Sequence, residues 1–451
     1  MAYSAYTAFE RIIRHYAANG TTLKTSNIAA SCVHASFTLA AERGCCRGTL
    51  QMVAAEMGAY ALEHGDVIRM IPETGADPWY TGCIVGRSRD ATTGIHTYRL
   101  DGLAVRLSGL PAVSDDASHE FGTAAGGSNP HPERIRTTHP TAGIVQWIAY
   151  NTIDGANVGI ITDGGGFDYT YMIYNASTEI ELLRYDQAQD CENVLGELAR
   201  MTPDMQSSHT AAPYPMLWGV DSARNLYFKF RPESQIARLH IGDANNTSGL
   251  PTLYLNGEIV QYQEWHENEG EDFVNVLVVR GNADTGGTTI SETYTDDDSI
   301  TKYGRRVIDF QEVPGLSSSG AATLFAQGYF QRYADPQRTH TIAGIIITDK
   351  DQLPLPWTGY ASIQDYQTPN NAMAGRRTIQ SVTVRFDDTP IAEMVIGEIE
   401  PSLFTPSNTA ATRYAGNSWK STQNRIPRVQ AAAASSTEQM AHWKFVWNES
   451  E

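Results

Sequence analysis

The segment spanning residues 296–347 constrains the fold more than any other part of the chain, because a helical pattern lies there among strand patterns. Apolar residues at spacings of three and four, Leu324 among them, predict an amphipathic helix over residues 321–336. A serine just before it can cap its first turn, and Pro336 ends it because proline cannot continue the hydrogen-bond ladder. The pattern predicts a helix that covers a sheet and implies no catalytic role. The capping candidates are Ser317, Ser318 and Ser319.

Length and composition favour a β-rich globular protein of several domains. A chain of 451 residues suggests about two to four domains. Its 41% hydrophobic content is typical of a globular protein, while 38 glycines, frequent threonines and few long helical patterns favour β structure. The 33 basic and 51 acidic side chains give a net charge of −18, which argues against gripping nucleic acid because phosphate binding needs clustered Lys and Arg. The same charge suits a passage for DNA, since like charges repel phosphates.

The cysteines and the chain start indicate synthesis in a reducing cytoplasm followed by assembly. Five cysteines without CxxC spacing predict buried free thiols rather than a zinc site or a disulfide framework. Residues 1–23 carry charged side chains in a helical pattern, which is not typical of a signal peptide. No apolar run approaches the ~18 residues of a membrane span. The cysteines are Cys32, Cys45, Cys46, Cys83 and Cys191.

The first quarter of the chain predicts a short helix followed by strands. Phe9 and Ile13 belong to a pattern that predicts an amphipathic helix over residues 1–20, serving as a docking arm. Farther on, the alternation seen at Val67 and Ile71 predicts half-buried antiparallel strands. The predicted strands are residues 35–41, 48–54, 66–71, 79–90 and 96–107.

The remaining segments predict a loop, two helices and further strands. Residues 108–132 are rich in Ser, Gly, Asp, Ala and Pro and predict a boundary or long loop. Asp190 is the predicted cap of a helix over residues 191–201, and the aromatic end of the chain, residues 441–447, can dock on a partner. The other predicted elements are a helix over 141–153, a hairpin over 214–231 with Trp218, Tyr227 and Phe228 as apolar contacts, and strands over 339–348, 377–386 and 390–398.

Several of these segments together resemble the tail hub proteins of tailed bacteriophages. The similar elements are the strand over 274–281, Ser299-Ile-Thr-Lys-Tyr-Gly-Arg-Arg306, the helix from Ala321 and Arg332-Tyr-Ala-Asp-Pro336. Nearer the start, Gly65-Asp-Val-Ile68 and Trp79-Tyr-Thr-Gly-Cys-Ile-Val-Gly-Arg-Ser-Arg-Asp90 are similar to the first tube domain of the family. The family includes the baseplate hub of contractile tails and the tail-associated hub of siphophages. The resemblance covers most of residues 30–400.

The resemblance implies a β-rich α+β, multidomain tail hub fold with two similar β-barrel tube domains and a peripheral α+β domain. The expected divisions are a first tube domain with an N-terminal arm over 1–115, a linker or loop over 116–135, the peripheral domain over 136–250, a second tube domain over 251–400 with its covering helix at 317–335, and a C-terminal tail for partner docking over 401–451.

The resemblance also implies a structural virion protein at the lower end of the tail tube, and not an enzyme. Three copies of a two-barrel chain would adapt the sixfold tube to a threefold tip and form part of the DNA channel. The expected partners are the other copies of a homotrimer, the tail tube or distal tail protein, the tape-measure protein and a tip fibre or spike protein. The resemblance further implies that DNA passes without specific binding and that assembly occurs in the host cytoplasm, and no membrane anchor is expected. A distal tail adaptor ring is the alternative within this class.

No catalytic, cofactor-binding or metal-binding residue is predicted, although some patterns invite such a role. Gly164-Gly-Gly166 can cradle an anion, but no Gly-Lys-Ser/Thr follows and Asp163 and Asp168 repel phosphate, which favours a hairpin or loop apex. The acidic runs 266–272 and 296–298 lack the calcium-loop pattern, which favours a solvated loop for the first and capping or a rim of negative charge for the second. His131 and His139, beside prolines, are predicted surface residues.

Two activities of phage tail tips remain as alternatives. A glycan-cleaving enzyme needs two opposed carboxylates, and a host-glycan-binding adhesin needs exposed aromatic platforms. Interface or solvated ion pairing is predicted for one further cluster on the strand over 79–90. The carboxylate candidates are Asp163, Asp168, Glu264 and Glu267, the platform candidates are Trp79, Trp265 and Trp357, and the ion-pairing cluster is Arg87, Arg89 and Asp90.

Two structural expectations follow. Gly304 is predicted to need backbone angles that other residues resist. If two barrels line a channel, their inward side chains are predicted to include more Asp and Glu than Lys and Arg, because a basic lining would trap DNA. A lumen dominated by arginines would contradict this; the arginines concerned are Arg87, Arg89, Arg99 and Arg377.

Overall fold

The computed structural model describes most of the chain between residues 9 and 397. The described ranges are 9–53, 61–112, 119–122, 135–136, 145, 148–162, 183–185, 189–201, 216–232, 234–241, 253–255, 258–260, 264–269, 273–283, 289–313, 319–335, 338–347, 349–365 and 375–397. The predicted segments at 163–168, 401–451, His131 and His139 lie outside them.

Strands dominate the described residues, which confirms the β-rich class. They are β1 (Ile12–Tyr16), β2 (Leu23–Thr25), β3 (Cys32–Ala40), β4 (Arg43–Val53), β5 (Val67–Ile71), β6 (Tyr80–Arg89), β7 (Ile95–Gly102), β8 (His119–Gly122), β9 (Ile135–Arg136), β10 (Leu183–Tyr185), β11 (Met216–Val220), β12 (Leu226–Phe230), β13 (Gln235–Ile241), β14 (Leu253–Leu255), β15 (Glu258–Val260), β16 (Glu264–Glu269), β17 (Val276–Ala283), β18 (Thr289–Thr295), β19 (Ile308–Glu312), β20 (Arg338–Ile346), β21 (Tyr360–Asp365), β22 (Gly375–Arg385) and β23 (Ile391–Gly397).

The described helices are few and range from 3 to 15 residues. They are α1 (Asp154–Ala156), which continues a π-helical turn over Ala149–Ile153, α2 (Cys191–Met201), α3 (Asp297–Tyr303) and α4 (Ser319–Tyr333), with 3-10 turns over Ala29–Ser31, Leu103–Leu107 and Lys350–Gln352. Asp190 caps α2 by accepting from the Asn193 amide at 2.8 Å, as predicted. Asp296 caps α3 in the same way, accepting from the Ser299 amide at 2.8 Å.

Eight strands form one continuous antiparallel sheet in the order β6-β7-β4-β3-β22-β23-β20-β16. The first four come from the N-terminal part of the chain and the last four from its C-terminal part. Strands β3 and β22 join the two sets, with Ala40 opposite Ser381 and Ser36 opposite Arg385. The sheet therefore crosses between segments that lie more than 300 residues apart in the sequence.

The two sets of four strands have the same topology. The first set has the order β6-β7-β4-β3 and the second has the order β22-β23-β20-β16. In both sets, the strand that comes third in the sequence therefore lies at one edge, followed by the fourth, the second and the first. An additional strand covers the beginning of the third strand in both sets, since β5 pairs with the start of β6 and β21 with the start of β22. Beyond these, β1 and β2 extend the first set, and β13, β14 and β15 extend the second.

A single apolar core runs behind both sets. Alternation along β22 buries Val382 and Val384 and leaves Thr383 half-buried on the opposite face, the pattern expected of a strand with one apolar side. Across the junction, Phe37 of β3 packs on Phe386 with ring centroids 6.0 Å apart. The buried cluster continues from these residues through both sets of strands.

A second core joins the large sheet to a peripheral layer. The β11–β12 hairpin separates the two cores, since Tyr227 belongs to the first whereas Trp218 and Phe228 belong to the second. Helix α2 and the sheet β18-β17-β19 with α4 complete the second core. Phe325 of α4 is buried there, so the predicted apolar stripe is confirmed, although the side chain of Leu324 lies outside the described part.

The N-terminal helix prediction is wrong for the described residues, because residues 12–16 form strand β1. Both faces of β1 are buried, with Ile13 in the first core and Tyr16 in the second. Apolar residues on both sides of a short strand fall at spacings that also fit a helix, so the pattern misleads. All five residues of β1 pair with β5, and this pairing makes the segment a strand.

Other element predictions hold with changed limits. The strand predicted to reach residue 107 ends at Gly102, where a Cβ would lie 1.6 Å from the Cys45 carbonyl oxygen, and a 3-10 turn follows. The loop predicted over 108–132 contains strand β8, which pairs with β9 and β10. The domain limits at 115, 135, 250 and 400 remain a prediction.

Candidate functional site: the eight-stranded sheet

One face of the eight-stranded sheet is rich in hydroxyl groups. At the junction of the two sets, Thr38 and Thr383 lie opposite each other, with their Oγ1 atoms hydrogen-bonded at 3.0 Å. The same row of alternating positions continues across the neighbouring strands, where the side chains are half-buried. Its hydroxyl-bearing members are Ser36, Thr38, Thr49, Thr97, Thr341, Ser381 and Thr383.

Charges on this face nearly balance among the described side chains. Arg385 is paired within its own strand end, its Nε lying 2.6 Å from Asp387. Burial raises the pKa of Asp101, and the nearby guanidinium groups of Arg43 and Arg47 act against this rise. The charged positions in the rows are Arg47, Arg99, Arg385, Asp101 and Glu393. The described face is therefore close to neutral and does not show an acidic excess.

The sheet has an open edge at each end within the described residues. Strand β5 pairs with β6 as far as Cys83, and backbone hydrogen bonds from Gly65 and to Asp66 extend this contact to Ile84. Beyond Ile84, the described part of β6 pairs with β7 alone. At the other end, β16 pairs with β20 alone. Backbone donors and acceptors at such edges are ready to pair with another strand.

A buried polar cluster fixes the strands behind the first set. The His15 Nε2 atom lies 2.7 Å from Asp66 Oδ2, and Lys24 Nζ lies 3.0 Å from the same carboxylate. The amide of Glu63 also donates to Asp66 at 3.0 Å. Burial tends to raise the pKa of Asp66, but these hydrogen bonds outweigh it and hold the pKa below its usual value. The cluster joins β1, β2 and the segment before β5.

A tight junction connects the sheet to the peripheral layer. Gly44 has φ of +73°, and a Cβ there would lie 2.2 Å from the Val220 carbonyl oxygen of β11. Beside it, Arg43 Nε lies 3.1 Å from the carboxylate of Glu192 in the first turn of α2. Burial raises the pKa of Glu192, and the Arg43 charge acts in the opposite direction. Only glycine fits at position 44 without moving β4 from β11.

The alternative of a glycan-binding platform is contradicted at two of its three candidate tryptophans. Trp79 and Trp357 are buried, and the Trp79 indole N–H donates to the Lys350 carbonyl at 2.9 Å. Trp79 also packs on Phe386 with ring centroids 5.9 Å apart. Buried indoles cannot stack on a sugar. The side chain of the third candidate, Trp265, lies outside the described part.

The carboxylate candidates do not form a described pair. Glu264 and Glu267 lie on one strand, β16, rather than opposing each other across a cleft. Asp163 and Asp168 lie outside the described ranges, as does the glycine run between them. The interpretation of the acidic run as a solvated loop is wrong for residues 266–269, because they belong to β16 and pair with β20. Pairing over six positions outweighs the acidic composition there.

The remaining candidates fall into ordinary structural positions. Arg87 and Arg89 are exposed on the open part of β6, and Asp90 turns the β6–β7 hairpin by accepting from the Thr92 amide at 2.8 Å. All five cysteines are free, and burial raises the pKa of Cys32 to about 11. In the described ranges, no group of His, Cys, Asp and Glu side chains is arranged to hold a metal ion. None of the described helices has the length and apolarity to span a bilayer.

Sequence reasoning missed the His15–Asp66 cluster. The two residues lie 51 positions apart, and although Asp66 belongs to the Gly65-Asp-Val-Ile68 segment, nothing in that segment points to His15. The available signal was a histidine among apolar residues in a short strand, and many buried histidines share that setting.

Comparison with solved structures identifies the fold. A tail protein of prophage MuSo2 from Shewanella oneidensis aligns over 86% of this chain and 98% of its own, with a TM-score of 0.51 and 11% identity. A tail protein from Neisseria meningitidis MC58 aligns over 86% of this chain and 96% of its own, with a TM-score of 0.50 and 9% identity. No protein-family model and no curated protein matches the sequence. The chain has the fold of these phage tail proteins, which confirms the resemblance seen in the sequence at the level of the fold.

Proposed function

We propose that this chain is a structural tail hub protein that assembles as a homotrimeric ring at the lower end of a phage tail tube. The observation that carries the proposal is the eight-stranded sheet built from two four-stranded sets of identical topology. Three copies present six such sets, so one ring offers pseudo-sixfold symmetry to a hexameric tube and threefold symmetry to the tip. We infer that the two sets are the counterparts of the two tube barrels that the resemblance implies.

The open edges support ring closure. The chain already joins its own two sets through β3 and β22, and the equivalent strands at the ends of the sheet, each with one open edge among the described residues, are β16 and β6. Different edges of one chain form a heterologous contact, which closes into a ring when the rotation allows it. We expect β6 of one copy to meet β16 of the next.

The size of such a ring suits a channel. Three eight-stranded sheets give about 24 strands, a circumference of roughly 115 Å and a backbone diameter of roughly 37 Å at about 4.8 Å per strand. Two copies would give roughly 24 Å between backbones, which leaves little space once side chains fill both walls. Three is the smallest number that admits a DNA duplex.

The hydroxyl-rich face suits the wall of this channel. A nearly neutral surface of threonine and serine offers DNA no continuous row of guanidinium groups, so few counterions are released and the duplex is not retained. The peripheral layer of α2, α4 and β17–β19 then lies on the outer side, where a fibre or spike protein can attach. The tube or distal tail protein and the tape-measure protein are the other proposed partners, and catalysis is not part of the proposed role.

Light scattering of the purified chain tests the proposal. A trimer of about three times 49.5 kDa is expected at micromolar concentration. A hexamer would indicate the distal adaptor ring instead. A monomer throughout that range would contradict the hub.

A further inference from the structure

The two open edges of the sheet carry opposite charges at alternate positions. On β6, Arg87 and Arg89 are both exposed and stand two residues apart, so they share one face of the strand. On β16, Glu267 and Glu269 have the same spacing. Charges on edge strands also serve to prevent wrong pairing, so charge alone does not identify a partner. The repeated topology does, because the register of the β3–β22 junction inside the chain can be transferred to the equivalent strands β16 and β6.

Strands β6 and β22 correspond residue by residue. In each strand, the pairing with the next strand shifts at one point, just before Gly86 in β6 and just before Ser381 in β22. Ser88 stands two residues after the first shift, and Thr383 stands two residues after the second. Ser88 is therefore the counterpart of Thr383.

Strands β3 and β16 correspond in the same way. From Gly86, three steps across the sheet through β7 and β4 lead to Ser36 of β3. From Ser381, three steps through β23 and β20 lead to His266 of β16. His266 is therefore the counterpart of Ser36, and the strands run in the same sense within their sets.

The junction inside the chain then predicts the junction between copies. Inside the chain, Thr383 lies opposite Thr38 with their hydroxyl oxygens 3.0 Å apart. Asn268 stands two residues after the counterpart of Ser36, so it corresponds to Thr38. The equivalent pair between copies is Ser88 and Asn268.

We propose that β6 of one copy pairs antiparallel with β16 of the next copy in this register, which places Arg87 opposite Glu269 and Arg89 opposite Glu267. This inference rests on the proposed ring and names the contact that closes it. Opposite charges at directly facing positions stabilise a strand pair, whereas like charges there destabilise it. Both arginines meet glutamates in the one register that the repeat predicts.

The same positions inside the chain are apolar. The counterparts of the two ion pairs are Leu39 opposite Val382 and Phe37 opposite Val384, all of them buried. The junction within a chain is thus part of the core, while the proposed junction between copies is held by ion pairs. Salt screens exposed ion pairs, so the ring is expected to weaken as ionic strength rises from about 0.05 to 1 M.

A disulfide experiment tests the register. The full chain with Ser88→Cys and Asn268→Cys is expected to form covalent trimers on mild oxidation, because facing side chains at this spacing can be bridged. Thr38→Cys with Thr383→Cys, at the equivalent pair within one chain, is the positive control and should form an intrachain disulfide. Ser88→Cys with His266→Cys is shifted by two residues and should cross-link poorly.

Charge reversal tests the ion pairs. Arg89→Glu or Glu267→Arg alone is expected to weaken assembly at least about tenfold, since each places like charges opposite one another. The double variant carrying both changes in one chain should restore assembly to near the wild-type level. Arg306→Glu, an exposed position away from both edges, is the matched control and should have no effect.

Mixing the two single variants reports on the number of copies. In a mixed ring, a contact between two copies of the same variant brings like charges together, whereas a contact between the two different variants brings opposite charges together. Every contact can join different variants only if the ring has an even number of copies. A mixed trimer therefore keeps one like-charge contact out of three and is restored only in part, whereas a mixed hexamer can be restored in full.

The outcomes separate this inference from the proposed function. A trimer that cross-links only in the shifted register, or that ignores the charge reversals, overturns the ion-pair contact and leaves the hub in place. Failure to form any oligomer overturns both.

Discussion

Replacing Gly44 by alanine tests the close approach of β4 to β11. Gly44 has φ of +73°, where an alanine costs about 1–2 kcal/mol in backbone strain alone. Its new Cβ would also lie 2.2 Å from the Val220 carbonyl oxygen, well inside van der Waals contact. The two strands must separate, which disrupts the paired positions Gly219–Arg43 and Val220–Gly44. Losing about two backbone hydrogen bonds adds roughly 1–3 kcal/mol, for a total of about 2–5 kcal/mol.

Gly304 and Gly75 supply matched controls for the conformational part of this cost. Gly304, at the end of α3, has φ of +65°, and Gly75 has φ of +85°. A Cβ at either position would have nothing within 4 Å. Gly304→Ala and Gly75→Ala are therefore expected to cost only about 1–2 kcal/mol each. The positive φ also confirms the expectation made for Gly304 from the sequence.

Urea denaturation followed by tryptophan fluorescence measures these differences. Trp218 reports directly on the region, because it lies in β11 next to the altered contact. We expect Gly44→Ala to lower the free energy of unfolding more than either control does. Equal losses in all three variants would refute the close approach of the two strands and leave backbone strain as the sole cause.

Three further predictions concern stability. Phe325→Ala is expected to lower the free energy of unfolding by about 3–5 kcal/mol, because the ring is 1% exposed in the second core; an unchanged denaturation midpoint would misplace α4. Arg14→Gln is expected to stabilise the protein by about 0.2–1 kcal/mol, since Arg14 lies directly opposite Arg69, and thermal melting at low salt would detect it. Asp66→Asn is expected to cost about 3 kcal/mol at pH 7 by removing a buried partner of His15. The pKa of Asp66 is lowered in the folded state, so its contribution is present above about pH 4 and is lost as pH falls through the lowered pKa; a melting difference that stays constant from pH 7 to pH 3 would contradict this.

The sequence predicted elements well where a strand or helix has one buried face. Alternation located β5 and β22, and the cap at Asp190 located the start of α2. It failed at β1, because two different cores bury the two faces of that strand and the resulting apolar pattern also fits a helix. It failed at residues 266–269 because their strand structure depends on a distant partner, β20.

The candidate site was less accessible from the sequence. Burial of Trp79 and Trp357 depends on packing partners far along the chain, which aromatic content alone cannot identify. The resemblance supplied the idea of a hub, but the identical topology of the two sets became visible only through strand pairing. The charged edges were present as alternating arginines and glutamates, yet nearly 180 positions separate them, and only the register relates one to the other.

The apolar β3–β22 junction has a mechanical consequence for the proposed ring. Six strand junctions would hold such a ring together. Three are the apolar β3–β22 junctions inside single chains, and three are the charged β6–β16 junctions between copies. Under load from a contracting or bending tail, a ring of this kind yields at the charged junctions first, so it divides into thirds and never into sixths. A ring with pseudo-sixfold symmetry towards the tube would thus open with threefold symmetry, which matches the symmetry of the proposed trimeric tip.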